Sequence, residues 1–345
     1  MTERDARTAE PPPPGLGGSF VRLQPHLRAL DDFLRSQLDG FEPEIHDLVE
    51  YCMDTSGKRI RPALVFFSGW RGPDQIPAAL VQAAAVVEMV HLATLVHDDI
   101  MDRAELRRSR PTAARRYGSD SAVLLGDALL AQAVHIAAQF PSTEVCQVVS
   151  AATRRVCAGE IAQTFRRGDT AITRDAYRRV IDLKTAELFR ISCLLGARLA
   201  GYEDGYVEAA AEFGRSLGIA YQIYDDLADF FGEEKNIGKT LGTDLAGGKV
   251  TLPLLVLLEK LSGAERSELL EEIRKCRTPQ FEHRRAQMRG HGVFAVVAED
   301  IRAELKKGMA ILSPWARLEP ALLLGQLGEL LRQQVDNLRD QGESS

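Results

Sequence analysis

Two short stretches carry carboxylates at a spacing that weakens a helix. LVHDDIMD (95–102) puts Asp98, Asp99 and Asp102 at the end of an apolar run, and YDDLAD (224–229) repeats the pattern with Asp225, Asp226 and Asp229. With about 3.6 residues per turn, positions i and i+4 share a face, so Asp98 lies beside Asp102 and Asp225 beside Asp229. Like charges so placed repel. Each set also follows a long apolar run, AAAVVEMVHLATLV and GRSLGIAYQIY, at a helix C-terminus where the macrodipole disfavours anions. One such set alone reads as a solvated face or a cap. Two sets, each ending a buried helix, call for a cation. Mg²⁺ is hard and oxygen-seeking, and it takes one or two protein carboxylates plus substrate phosphates. Two facing sets therefore suit a Mg²⁺-bridged diphosphate held between helices.

Basic residues supply the other half of such a site. They stand in SGKRIRP (56–62), in LRRSRPT (106–112), and at Lys184, Lys239 and Lys249. Arginine forks bind phosphate oxygens in pairs, and lysine supplies a point charge. There is no G-x-x-x-x-G-K-[ST], which argues against a P-loop nucleotide enzyme. Glu88-Met-Val-His91 matches Glu-x-x-His, but a di-iron bundle needs that motif twice with further Glu residues, and no second copy occurs.

The elements that must position these residues read as helices. The chain has 345 residues, 45% of them apolar and only 6% aromatic, with a formal net charge of -6. A mildly acidic chain is a poor general partner for nucleic acid. Apolar residues recur at helical spacing, with no sustained alternation, which predicts an all-α protein. The predicted helices are 20–38, 43–55, 60–71, 75–102, 120–140, 143–167, 173–200, 204–231, 249–261, 264–273, 278–288, 293–313 and 317–338. Composition does not break after residue 20, so 20–340 reads as one domain. The charged, Pro-rich segment 1–19 has no signal-peptide h-region and reads as a disordered lead-in. Ala78 to Val96 mimics a membrane span, but Gln82, Glu88, His91 and its acidic end fit a buried core helix. Cys52, Cys146, Cys157, Cys193 and Cys276 form no CxxC pair, and their odd count and apolar neighbours predict reduced core thiols in a cytoplasmic protein. The Gly-rich loop 232–249 is long enough to expect a functional role.

At this point the motifs, in order, match a known pattern. GKRIRP (57–62), EMVHLATLVHDDIMD (88–102), RRSRPT (107–112), AVLLGD (122–127), GEIAQ (159–163), KTAELF (184–189), YQIYDDLADF (221–230) and IGKTLGTDLAGGKVTLP (237–253) resemble the trans-isoprenyl diphosphate synthases, or polyprenyl synthetases. The likeness runs over about residues 20–340. It implies a large single-domain helical bundle of the isoprenoid synthase type around a deep central cavity. It also implies a homodimer, and peripheral membrane contact on product release. The implied reaction joins isopentenyl diphosphate to an allylic diphosphate primer, with Mg²⁺ as three ions when substrate is bound. Carried over by position, Lys58, Arg61, His91 and Arg108 bind isopentenyl diphosphate. Arg107, Lys184, Thr185, Gln222, Lys239 and Lys249 bind the allylic diphosphate. Asp98, Asp102 and Asp225 lead metal coordination, supported by Asp99, Asp226 and Asp229. Ser56, Ser109 and Ala114 depart from the family pattern without removing a phosphate or metal ligand.

Three neighbouring functions are weighed against this one. A class I terpene cyclase typically carries an Asn/Ser/Glu triad where this chain has DDLAD. A non-catalytic regulatory subunit usually loses an aspartate motif, and both are kept here. A short-chain synthase, C15 to C20, often places aromatics four and five residues before the first aspartate. Those positions are Thr94 and Ala93. At about 1.5 Å per residue, Ala93 lies roughly 7–8 Å inward from Asp98, where a methyl group leaves room for a product of about C30 to C50. Met89, one turn deeper, is a flexible floor.

Overall fold

A computed structural model describes residues 17–53, 57–107, 110–232, 241–275 and 280–344. Helix α1 (Gly17–Ser36) runs into a 3-10 turn, and α2 (His46–Met53) and α3 (Ile60–Ser68) lead to α4 (Ala78–Met101). Two-residue strands β1 (Leu106–Arg107) and β2 (Arg110–Pro111) form an antiparallel hairpin, with Leu106 opposite Pro111. Then come α5 (Ala113–Tyr117), α6 (Ser119–Ala138), α7 (Glu144–Thr164) and α8 (Arg174–Ile181). A π-helical turn, Asp182–Ala186, joins α8 to α9 (Glu187–Leu199), and α10 (Asp204–Phe231) follows. The chain closes with α11 (Thr243–Ala246), α12 (Leu252–Lys260), α13 (Gly263–Lys275), α14 (Phe281–Gly290), α15 (Val293–Leu312) and α16 (Glu319–Ser344).

The fold is all-α apart from the hairpin. Its buried apolar residues form one continuous core from Leu23 to Leu338. Helix α10 packs between α9 and α15, while α4 packs on α6, α3 and α9. Helix α4 is a core helix, as its polar interruptions predict. Val86, Val87, Met89 and Val90 are fully buried, and buried Glu88 is neutralised by Arg59. Burial of this kind removes apolar surface from water at about 25 cal/mol per Å² and fixes the helix in place.

Several sequence expectations need adjustment. The predicted helix 173–200 holds its course but carries the π turn inside it. Helix α1 begins at Gly17, inside the segment read as disordered, whose residues 1–16 lie outside the described residues. Helix α6 is as long and apolar as a membrane span too, yet only 39% of its most apolar window is buried, and Val123, Leu124 and Val134 are exposed on it. From polarity along the sequence, only α4 stands out as a span mimic. Cys52 and Cys193 are buried and Cys146 half-buried, but Cys157 is exposed and is not a core thiol, and Cys276 lies outside the described residues.

Candidate active site

Helix α4 ends within the first aspartate set. Asp102 is its C-cap, and its N–H donates to the Asp98 carbonyl at 2.8 Å. Each carboxylate of the set has its own basic partner. Lys184 Nζ lies 3.4 Å from Asp98 Oδ2. Arg107 forks onto buried Asp99, with Nε and Nη2 donating to Oδ1 at 2.9 and 2.7 Å. Asp102 is closed from both sides, by Lys249 on Oδ2 at 2.6 Å and Arg167 on Oδ1 at 2.5 Å.

The protonation balance follows the partners. Burial pushes Asp98 above the usual carboxylate range, with Lys184 opposing it. Lys184 itself is held above its ordinary value: burial opposes that, but Asp98 and Glu160 outweigh it. Two carboxylates around one ammonium favour the charged lysine, while a lysine shared with Glu160 leaves the desolvation of Asp98 uncompensated, so Asp98 and Lys184 both shift upward. Burial also raises Asp99 against the Arg107 fork. Asp102 is the exception. Burial raises it, but Lys249 and Arg167 together outweigh burial and leave it below the usual range.

The π turn presents Lys184 and Thr185 side by side. Single π turns inside helices concentrate at functional sites. Here the turn is pinned at both ends: Arg215 forks onto Asp182 at 2.6 and 2.8 Å, and Arg190 forks onto buried Glu187 at 3.0 and 2.6 Å. Two glycines let neighbouring helices close on it. A Cβ at Gly159 of α7 would sit 2.7 Å from the Lys184 backbone nitrogen, and one at Gly218 of α10 would sit 2.7 Å from the Ala186 Cα. Lys184 donates to Gln163 at 2.9 Å and pairs with Glu160, so the GEIAQ motif orients that ammonium.

The second set has a different surrounding. Thr185 donates to Gln222 Oε1 at 2.7 Å, Gln222 Nε2 donates to Asp226 Oδ1 at 2.8 Å, and the Tyr177 hydroxyl donates to Asp226 Oδ2 at 2.6 Å. Burial lifts Asp226 well above the carboxylate range. Asp229 is fully buried and accepts from the Thr243 hydroxyl and the Asp244 N–H, both at 3.3 Å, at the start of α11. Asp225 is only half-buried.

Two bridges thus join the aspartate sets. Through the π turn, Lys184 reaches Asp98 while its neighbour Thr185 reaches Gln222. Through segment 241–249, Thr243 and Asp244 hold Asp229 while Lys249 holds Asp102. About three turns before Asp102 along α4, on the same face, Arg61 hydrogen-bonds His91 Nε2 at 2.9 Å, and its guanidinium lies 5.0 Å from the Phe189 ring centre. Lys58 is exposed beside it. Arg59, with φ of 47°, turns the loop and is tied to Glu88 at 2.8 Å and Asp31 at 3.2 Å. Glu88 and His91, the lone Glu-x-x-His, therefore serve two different arginines. Arg108 and Lys239 lie outside the described residues.

Glu160, Gln163, Tyr177 and Arg167 belong to the site although they were not singled out as site residues from the sequence. GEIAQ marks the first two only as a motif. Tyr177 and Arg167 carry no local signal, because each is one polar residue on a helix or turn that reads as surface. Among the described residues, no three His, Cys, Asp or Glu side chains converge into a ready metal cage. Asp98, Asp102 and Asp225, the expected metal ligands, offer hard oxygen donors by their chemistry. A cation that keeps most of its positions for phosphate and water needs no more than one or two of them.

Comparison with known proteins places these features. Residues 42–288 match the family model described as polyprenyl synthetase. The chain is 33% identical over 252 residues to an octaprenyl diphosphate synthase of Haemophilus influenzae, covering 72% of this chain and 75% of that protein. The fold superposes on a decaprenyl diphosphate synthase from Rhodobacter capsulatus with a TM-score of 0.82, at 29% identity, over 91% of this chain and 97% of the other. It also matches a polyprenyl synthase from Caulobacter crescentus complexed with calcium and isoprenyl diphosphate, with a TM-score of 0.81, 28% identity, and coverage of 92% and 96%.

Proposed function

The chain belongs to the polyprenyl synthetase family, and from that premise we propose that it is a Mg²⁺-dependent prenyltransferase that elongates an allylic diphosphate with isopentenyl diphosphate to a long trans-polyprenyl diphosphate. The observation that carries this reading is the pair of bridges between the two aspartate sets. They gather carboxylates and ammonium or guanidinium groups of one site from helices far apart in sequence.

Asp98, Asp102 and Asp225 would hold Mg²⁺, with the ions, three in number, shared with the substrate diphosphate. Bound there, Mg²⁺ supplies charge neutralisation for the leaving diphosphate. The chain's own residues do the rest. Lys184 and Lys249, with Arg107 and Lys239, bind the allylic diphosphate. Lys58, Arg61, His91 and Arg108 bind isopentenyl diphosphate, with Phe189 as an apolar wall beneath Arg61. The allylic C–O bond breaks and its electron pair leaves with the diphosphate. Fixed cations around that group are worth most in a dry, preorganised site. The alkene of isopentenyl diphosphate then attacks C1 of the allylic cation. A proton leaves to the released diphosphate, so no side-chain base is needed. Thr185 and Gln222, locked to each other and to Asp226, keep their dipoles fixed beside the reacting carbon. Loop 232–249 excludes water.

Residues 20–340 form the catalytic domain in this reading. The exposed Val123, Leu124 and Val134 of α6 support a homodimer through that face. Cysteines scattered without a CxxC pair support a reducing, cytoplasmic setting, with membrane contact limited to release of an apolar product. The named activities of the relatives and the small Ala93, buried in α4, support a product of C30 to C50.

The test is incubation with Mg²⁺, isopentenyl diphosphate and an allylic primer, followed by chromatography of the dephosphorylated product. A prenyl chain longer than C20 is expected, and none after chelation of the metal. No elongation would overturn the reaction, and arrest at C15 or C20 would overturn the length. Ala93→Phe should shorten the product while the first condensation survives, at a stability cost of about 1–3 kcal/mol from overpacking. Unchanged product length would remove Ala93 from the tunnel wall.

A further inference from the structure

Arg167 sits just beyond α7, at the last position of the helix 143–167 predicted from sequence. Its Nη2 donates to Asp102 Oδ1 at 2.5 Å and its Nη1 to the Met101 carbonyl at 3.3 Å. Lys249 occupies the other oxygen of the same carboxylate at 2.6 Å. The two cations arrive on loops fastened to each other: the Gly168 N–H donates to the Gly248 carbonyl at 2.9 Å. Gly168 holds φ of 73°, a conformation glycine adopts without strain. Residues 167 and 249 are thus the neighbours of one backbone hydrogen bond, and both side chains end on Asp102. The Arg167 side chain is 24% exposed, and its Nε is buried without a hydrogen-bond partner. The fork therefore has a donor left for a further acceptor.

Two cations on one carboxylate exceed what its charge requires. Asp98 and Glu160 show the opposite balance, since they share Lys184. An excess of positive charge at Asp102, carried by two loops fastened to each other, fits an anion of more than one charge.

We propose that Arg167 is a further diphosphate-binding residue, acting as a pair with Lys249 on the allylic side of the site: when a divalent cation takes Asp102, the guanidinium fork moves to a diphosphate oxygen. The proposal rests on the diphosphate reading given above. A guanidinium suits this role better than an ammonium because its fork can bind two oxygens at once.

The experiment is calorimetric titration of the full chain with inorganic diphosphate in the presence of MgCl₂, using wild type, Arg167→Ala and Arg167→Lys. Steady-state constants for both substrates are measured on the same preparations. Wild type should bind diphosphate. Arg167→Ala should bind about tenfold more weakly, the scale of one charge-assisted hydrogen bond at a partly exposed site. Arg167→Lys should recover part of the loss. The KM for the allylic diphosphate should rise in parallel while that for isopentenyl diphosphate stays put. If Arg167→Ala does not fold, as judged by its melting curve, Arg167→Lys carries the test, and a loss of about threefold or more is required of it. Diphosphate affinity equal to or tighter than wild type in the variants would overturn the proposal, and would mean that Arg167 only closes Asp102. Wild type that binds no diphosphate with Mg²⁺ would overturn the site reading itself, and this proposal with it.

Discussion

At the end of α4, Asp98, Asp99 and Asp102 are met by Lys184, Arg107, Lys249 and Arg167. Near the end of α10, Asp226 and Asp229 accept instead from Tyr177, Gln222, Thr243 and a backbone N–H. The spacing of the carboxylates is the same in both places, and the donors are not. A charged partner can be exchanged for another cation at little cost, because the carboxylate stays ionised throughout. A neutral donor cannot. It is matched to one geometry, and losing it leaves a buried group unsatisfied at about 1–3 kcal/mol. In the reading proposed above, the first set and half-buried Asp225 lead in holding metal and substrate, while Asp226 and Asp229 also tie α10 to the π turn and to α11.

The largest effect belongs to the first set. Asp98→Ala and Asp102→Ala should each cut turnover by about 10²-fold or more, on the scale of losing an electrostatic stabiliser of the leaving group. The melting temperature should stay near wild type, because both carboxylates are partly solvated. Near-normal turnover in either variant would break the assignment. Asp229→Ala should act mainly on stability, by about 1–3 kcal/mol, as it strips acceptors from Thr243 and the Asp244 N–H. A stable Asp229→Ala protein with turnover lost as deeply as in Asp98→Ala would put Asp229 among the metal ligands.

A third carboxylate sharpens the contrast. Asp182 is paired to Arg215 by a fork, far from both sets in role. Burial raises its pKa, but the fork outweighs burial and leaves it below the ordinary 3.8. A carboxyl depressed in the folded state stabilises above its unfolded pKa, and that contribution is lost as pH falls through the folded value. Asp182→Asn should therefore melt lower than wild type at neutral pH, with the gap closing below about pH 4. Arg215 is 40% exposed, so solvent screening limits the effect to under about 1 kcal/mol. A gap that persists at low pH would mean that packing, not charge, is lost.

The helices were legible because their burial is periodic. Helix α10 runs from Asp204 to Phe231, the bounds read from sequence, since its apolar face repeats without interruption. The π turn was not legible, because its register depends on Arg215, Arg190, Gly159 and Gly218 from other segments. The hairpin at 106–111 is too short for any alternation to show. The first aspartate set and its lysines were visible through charge and spacing. The division of labour within the second set was not, since DDLAD looks the same whether its partners are Mg²⁺ or the Tyr177 hydroxyl. Arg167 escaped because one arginine after a helix has no pattern of its own.

The most direct measurement compares Asp225→Asn with Asp226→Asn in one turnover assay, with melting temperatures from the same samples. Asp226 accepts from the Tyr177 hydroxyl on one oxygen and from Gln222 Nε2 on the other, so asparagine disturbs a hydrogen-bond network there. Its new amide would face the Gln222 Nε2 donor and break that hydrogen bond. The account predicts that Asp225→Asn loses about tenfold or more in turnover with its melting temperature unchanged. It predicts that Asp226→Asn melts lower while keeping the larger share of activity. Equal losses of turnover at unchanged melting temperatures would contradict it, since both carboxylates would then serve the metal alike.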